Sequence, residues 1–156
     1  MTYVVGIDPG TSGGLCVMDE KHRIVSVARF ENMTETDIAD AVRETWVYRP
    51  KVFMEKVGFM PGDLRGGRAK NFGTFMRSYG FVRGCVISNR LELEDVLPQK
   101  WQQKLSLGAK AADYNARKRR HKERAQQLFP STVFRITLDI ADAILLAEYG
   151  YRTLNE

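Results

Sequence analysis

The sequence predicts an α/β fold on a mixed five-stranded sheet, a three-strand antiparallel meander extended by parallel strands and flanked by helices. Three observations carry this. Short apolar runs separated by turn residues fill positions 3–30, as in consecutive hairpins. The run 51–55 is too apolar to be half exposed, which suits a strand covered on both faces. Elsewhere apolar residues recur at helical spacing. A length of 156 residues, 44% of them hydrophobic, suits one domain, 1–156, with a single filled core.

Residues 3–8 form the first expected strand, stopped by Pro9-Gly10. Gly13-Gly14 opens the second, 15–18, and the polar stretch 19–23 turns into the third, 24–30. Thr34 and Asp37 read as a capping-box variant that starts a helix to about Trp46, with Ile38, Ala41, Val42 and Thr45 inward. Arg49-Pro50 ends it, and 51–55 is the fourth strand. A Gly-rich loop, 58–67, leads to a helix over about 69–79, and 83–88 is expected as the fifth strand. Pro98 starts a short helix to 105. The basic stretch 110–124 is expected to be helical in its second half, where Ala125 and Leu128 supply packing. Thr137 caps a last helix from 138 to about 149, ended by Gly150.

No apolar run approaches the roughly 18 residues of a membrane span. The N-terminus enters the first strand directly, so no targeting segment is expected. Cys16 and Cys85 lie in apolar runs without zinc spacing and read as reduced core residues of a cytoplasmic protein. The net charge of +5 is unevenly spread: residues 51–135 hold 18 Lys/Arg against 7 Asp/Glu, and both flanks are acidic. Such a segment suits a phosphate backbone or, more blandly, a solvated surface.

Four carboxylates interrupt apolar structure: Asp8 in Gly6-Ile7-Asp8-Pro9-Gly10, Glu55 at the end of Val52-Phe53-Met54, and Asp139 with Asp142 in the last helix. Unpaired charges are too costly to bury, so each needs a cation or hydrogen-bond donors. Taken singly, Asp8 suits a turn before Pro-Gly, Glu55 a strand-end ion pair, and Asp139 a first-turn helix position. Asp142, deeper in the apolar helix, has no such local explanation. Together they suit magnesium, which takes oxygen ligands and keeps several waters. Zinc suits poorly, since His22 and His121 are far apart and in polar segments.

The motif Gly6-Ile7-Asp8-Pro9-Gly10, the apolar strand ending in Glu55, and Asp139-x-x-Asp142 on the last core helix together resemble the RuvC family of Holliday junction resolvases, within the ribonuclease H-like superfamily. The resemblance covers nearly the whole chain. It implies a ribonuclease H-like fold, a homodimer, and two-metal cleavage of branched DNA with two Mg2+ per site, Mn2+ as substitute, and no nucleotide cofactor. Asp8, Glu55, Asp139 and Asp142 match the family's metal-binding, catalytic carboxylates. Thr11-Ser12-Gly13-Gly14-Leu15 departs from the Arg and Gly-Tyr-Gly usual in bacterial members, and the short length is more similar to compact bacteriophage-encoded forms.

Arg65, Arg68, Lys70, Arg77, Lys110, Arg117, Lys118, Arg119 and Arg120 are the expected DNA contacts. Phe59 and Met60 read either as loop residues folded onto the core or as a wedge between unstacked bases, a feature the resemblance also implies. Phe72, Phe75, Met76 and Tyr79 form a stripe wider than core packing needs, which suggests a dimer contact. Two other readings compete with the nuclease. One is a non-catalytic binder of branched DNA. The other rests on the likeness of residues 6–13 to the first phosphate motif of actin and sugar-kinase ATPases, whose two lobes exceed this length.

Overall fold

The computed structural model describes residues 2–58, 68–108 and 113–156. Strands β1 (Val4–Asp8), β2 (Gly14–Met18) and β3 (Ile24–Arg29) form the antiparallel meander, and β4 (Lys51–Glu55) and β5 (Glu92–Val96) add in parallel, giving the order β3-β2-β1-β4-β5. Helices α1 (Glu35–Glu44), α2 (Arg68–Ser88), α3 (Pro98–Lys104), α4 (Tyr114–Leu128) and α5 (Leu138–Asn155) complete the described elements, with a 3-10 turn at Thr45–Tyr48.

Thr34 caps α1 as its sequence indicates: Thr34 Oγ1 accepts from the Asp37 N–H, and Asp37 accepts from the Thr34 N–H at 2.8 Å. The expected strand at 83–88 is instead the second half of α2, and β5 follows it. Val82, Cys85 and Val86 are buried while Gly84 and Ile87 are exposed, the three-four rhythm of a helix despite β-branched residues. The real strand, Glu92-Leu93-Glu94-Asp95-Val96, was hidden by its charge, which suits a sheet edge. Lys51 on β4 holds both Glu92 and Glu94 at 3.2 Å.

Two apolar layers enclose the sheet. Val5, Ile7, Leu15, Val17, Val52 and Met54 face α1 and α2, while Val4, Cys16, Met18 and Phe53 face α3, α4 and α5. Helix α5 crosses β1 closely: a Cβ at Gly6 would collide with the Ala143 carbonyl, and one at Gly150 with the Phe53 ring. Gly150 therefore serves contact with the sheet, and α5 continues past the end expected there. Both cysteines are free and buried. Among the described residues, no helix is long and apolar enough to cross a membrane.

Candidate active site

Strand alternation aims the first two carboxylates. Side chains two apart share a face, so Asp8 follows Val4 and Gly6, and Glu55 follows Phe53, toward α5. Because β1 and β4 are parallel with Ile7 opposite Met54, the next residue on each strand is a carboxylate. Asp142, 6% exposed on α5, completes a group of three along one open cleft at the carboxyl ends of these strands. The turn Gly10–Gly13 forms one wall, and α3 and α4 form the other. Ser78 on α2 pins that turn through the Pro9 carbonyl at 3.0 Å.

Three carboxylates crowd the cleft, and two of them bear the cost. Burial, and then the Asp142 charge, push Asp8 up to about 6, against Lys118 and the Gly10 N–H. Burial, and then Asp8 and Asp142, push Glu55 up to about 7, although Trp101 Nε1 donates to Glu55 Oε2 at 2.8 Å. Burial acts on Asp142 in the same direction, but hydrogen bonds from His121 and Lys118 outweigh it and hold Asp142 below the usual carboxylate range. Lys118 Nζ lies 2.6 Å from Asp142 Oδ2 and 3.8 Å from Asp8 Oδ2. Those two charges overcome the burial penalty on the ammonium and raise its pKa.

The structure separates Asp139 from these three. Its carboxylate is bound by Thr137 Oγ1 and lies 3.5 Å from Arg29 Nε, beside a shallow hollow one helical turn from Asp142. Of the expected DNA contacts, Lys118 sits inside the carboxylate cluster and Arg120 donates to the Leu107 carbonyl at 3.0 Å. Arg77 pairs with Glu35 at 2.7 Å, while Lys70, Arg117 and Arg119 are exposed, with Arg117 over the Tyr114 ring. Phe59, Met60, Arg65 and Lys110, together with the Arg68 side chain, lie outside the described residues. The α2 stripe is divided: Phe75 lines the cleft, Tyr79 packs on the core, and Phe72 and Met76 are half-buried.

Magnesium fits this donor set in chemistry. Asp8, Glu55 and Asp142 offer hard oxygens, repel one another, and already draw one cation, the Lys118 ammonium. Among the described residues no three ligands close around an ion as they stand. An open set of this kind suits an ion that keeps waters and shares phosphate oxygens.

Sequence reasoning missed two members of the site. His121, read as belonging to a polar segment, is 2% exposed with Nδ1 2.7 Å from Asp142 Oδ1. The signal was available: counting back from the packing residue Ala125 by helical steps gives His121 and Lys118 on the same inward face. Trp101 gave no such local sign. Its bond to Glu55 joins residues 46 apart in sequence.

No family model matches the chain, and no curated protein matches it. Solved structures do. Thermus thermophilus RuvC, in complex with a Holliday junction substrate, superposes with a TM-score of 0.66 at 19% identity, covering 98% of this chain and 95% of its own. Fowlpox virus resolvase, complexed with substrate Holliday junction DNA, gives 0.57 at 15% identity over 99% and 100%. The yeast mitochondrial Holliday junction resolvase Ydc2 gives 0.51 at 16% identity over 97% and 78%. The fold is ribonuclease H-like and matches that of RuvC.

Proposed function

We propose that this chain is a magnesium-dependent, structure-selective endonuclease that cuts four-way and other branched DNA as a homodimer. One observation carries the reading: three carboxylates, two of them with raised pKa values, converge with a single ammonium in an open cleft. The likeness to resolvases solved with junction DNA supports it. Asp8, Glu55 and Asp142 would hold the metal, and Asp139 would join them by giving up Arg29. Two Mg2+, or Mn2+ in their place, supply an activated water and stabilise the leaving oxygen when bound.

The protein's own part is to gather the ligands. The buried ends of β1, β4 and α5 fix Asp8, Glu55 and Asp142, and Lys118 balances part of their charge until the site is filled. Arg65, Arg68, Lys70, Arg77, Lys110, Arg117, Arg119 and Arg120 hold phosphates in this reading, with Phe59 or Met60 as the wedge. A two-fold dimer through α2 would set two sites against two like strands. The chain acts without a nucleotide cofactor, in the cytoplasm of a bacterium or phage-infected cell, and is of the compact phage-encoded type.

A labelled four-way junction, a linear duplex and ATP, each with and without magnesium, test the reading. Magnesium-dependent paired cuts confined to the branched substrate are expected. Tight junction binding without cuts in magnesium would favour the non-catalytic binder.

A further inference from the structure

Glu55 and Asp142 reach the cleft from different elements, and behind each stands one ring from the opposite wall. Trp101 on α3, fully buried, donates its indole N–H to Glu55 Oε2 at 2.8 Å. His121 on α4 places Nδ1 2.7 Å from Asp142 Oδ1 and, with Asp142 ionised, donates to it. The two rings meet edge to face, with centroids 5.1 Å apart and planes at 67°. Arg120 and Arg124 on α4 donate to the Leu107 and Leu105 carbonyls just past α3, both at 3.0 Å, so the walls carrying the rings are tied together. Each ring thus engages one oxygen of its carboxylate. At Asp142 the other oxygen, Oδ2, faces Lys118.

We propose that Trp101 and His121 form a two-ring brace that positions Glu55 and Asp142 for a divalent cation. The inference rests on the nuclease reading and deepens it. A carboxylate at a cleft wall can swing about its side-chain torsions, and a donor locked by packing removes that freedom. The indole N–H does so without bringing positive charge into the cleft, unlike Lys118, whose ammonium competes with an incoming ion. Loss of such an outer partner typically costs about 10–100-fold in metal affinity. Edge-to-face contact links the two donors, so disturbing one ring should loosen both carboxylates.

Manganese binding to the DNA-free protein, read from the loss of the free Mn2+ EPR signal, tests this directly. Trp101→Phe keeps the packing and removes the N–H; His121→Phe removes the donor; His121→Asn restores an N–H at the Nδ1 position. Both phenylalanine variants should bind Mn2+ about 10–100-fold more weakly, and His121→Asn should recover most of the loss. If these variants fold, as far-ultraviolet circular dichroism reports, and bind Mn2+ like the parent, the brace is overturned. A measurement on the parent decides should they not fold. In the nitrogen-15-labelled protein, Mg2+ should move the Trp101 indole resonance and leave that of exposed Trp46 in place; a stationary Trp101 signal at saturating metal overturns the brace. A parent that binds no Mn2+ and cuts no junction overturns the nuclease reading and the brace with it. A parent that does both beside unaffected variants overturns the brace alone.

Discussion

Asp142 and Glu148 are both buried carboxylates on α5, and their surroundings are opposite. Glu148, 1% exposed, lies between two bases: Arg152 Nε donates to it at 2.6 Å, and the His22 ring, stacked on Tyr151, meets its other oxygen. Asp142 shares its cleft with Asp8 and Glu55; Lys118 pairs with Asp142 and Asp8, and His121 with Asp142. The first cluster sets one buried carboxylate against a guanidinium and an imidazole. The second gathers three carboxylates along one open cleft, two of them with raised pKa values. A buried charge alone therefore marks nothing; an uncompensated group of them marks where a cation belongs.

The largest expected difference between the two clusters is in chemistry. Asp8→Asn or Asp142→Asn should lower cleavage of a four-way junction by about three decades, the loss of several kcal/mol of transition-state stabilisation. Junction binding should hold or tighten as phosphate repulsion falls. Glu148→Gln should leave magnesium-dependent cutting intact and lower stability by about 1–3 kcal/mol, measured by urea unfolding. Parent-like cutting by Asp8→Asn removes the contrast altogether.

Next comes pH. The folded protein holds protons on Asp8 and Glu55 more tightly than the unfolded chain, whose values are near 3.8 and 4.5. Their contribution to stability is present below pH 4 and lost as pH rises through about 6 and 7. Asp142, with its lowered value, acts in the reverse sense and loses its contribution on acidification below its unfolded value of 3.8. Without metal, Asp8→Asn should thus stabilise the protein at pH 8 by about 1–2 kcal/mol and have little effect near pH 4. Magnesium should raise the parent's Tm at pH 8 and do so weakly at pH 5. A Tm that ignores magnesium at pH 8 contradicts the uncompensated cleft.

Removing the Lys118 ammonium sharpens the same contrast. Lys118→Gln should destabilise the metal-free protein by about 3–5 kcal/mol at pH 8 and enlarge the magnesium-induced rise in Tm, since the competing ammonium is gone. Calorimetry without Mg2+ and with Mg2+ at about 100 times its Kd measures both. The smallest effect is expected at the rim. Arg117→Ala with Arg119→Ala should flatten the salt dependence of DNA binding by roughly 0.9 units of slope for each phosphate no longer neutralised. Arg77→Ala should change it less, because Glu35 already holds that guanidinium.

Local chemistry determined much of this molecule. The Pro9-Gly10 stop and the Thr34 and Asp37 cap are legible in a few consecutive residues, because turns and caps depend on near neighbours; that Asp8 and Glu55 share a face follows from the register of β1 on β4. The order of the carboxylates along the chain was legible too. Tertiary structure decided the rest. Residues 83–88 are apolar and β-branched enough for a strand, and only their packing against the sheet, Val82, Cys85 and Val86 inward, made them helix. Asp139 and Asp142 look equivalent three residues apart, yet Arg29 from β3 draws one aside while Lys118 and His121 from α4 meet the other. Trp101 reaches Glu55 across 46 residues. Which base meets which acid is set by how separate elements pack, and a one-dimensional pattern does not carry that distance.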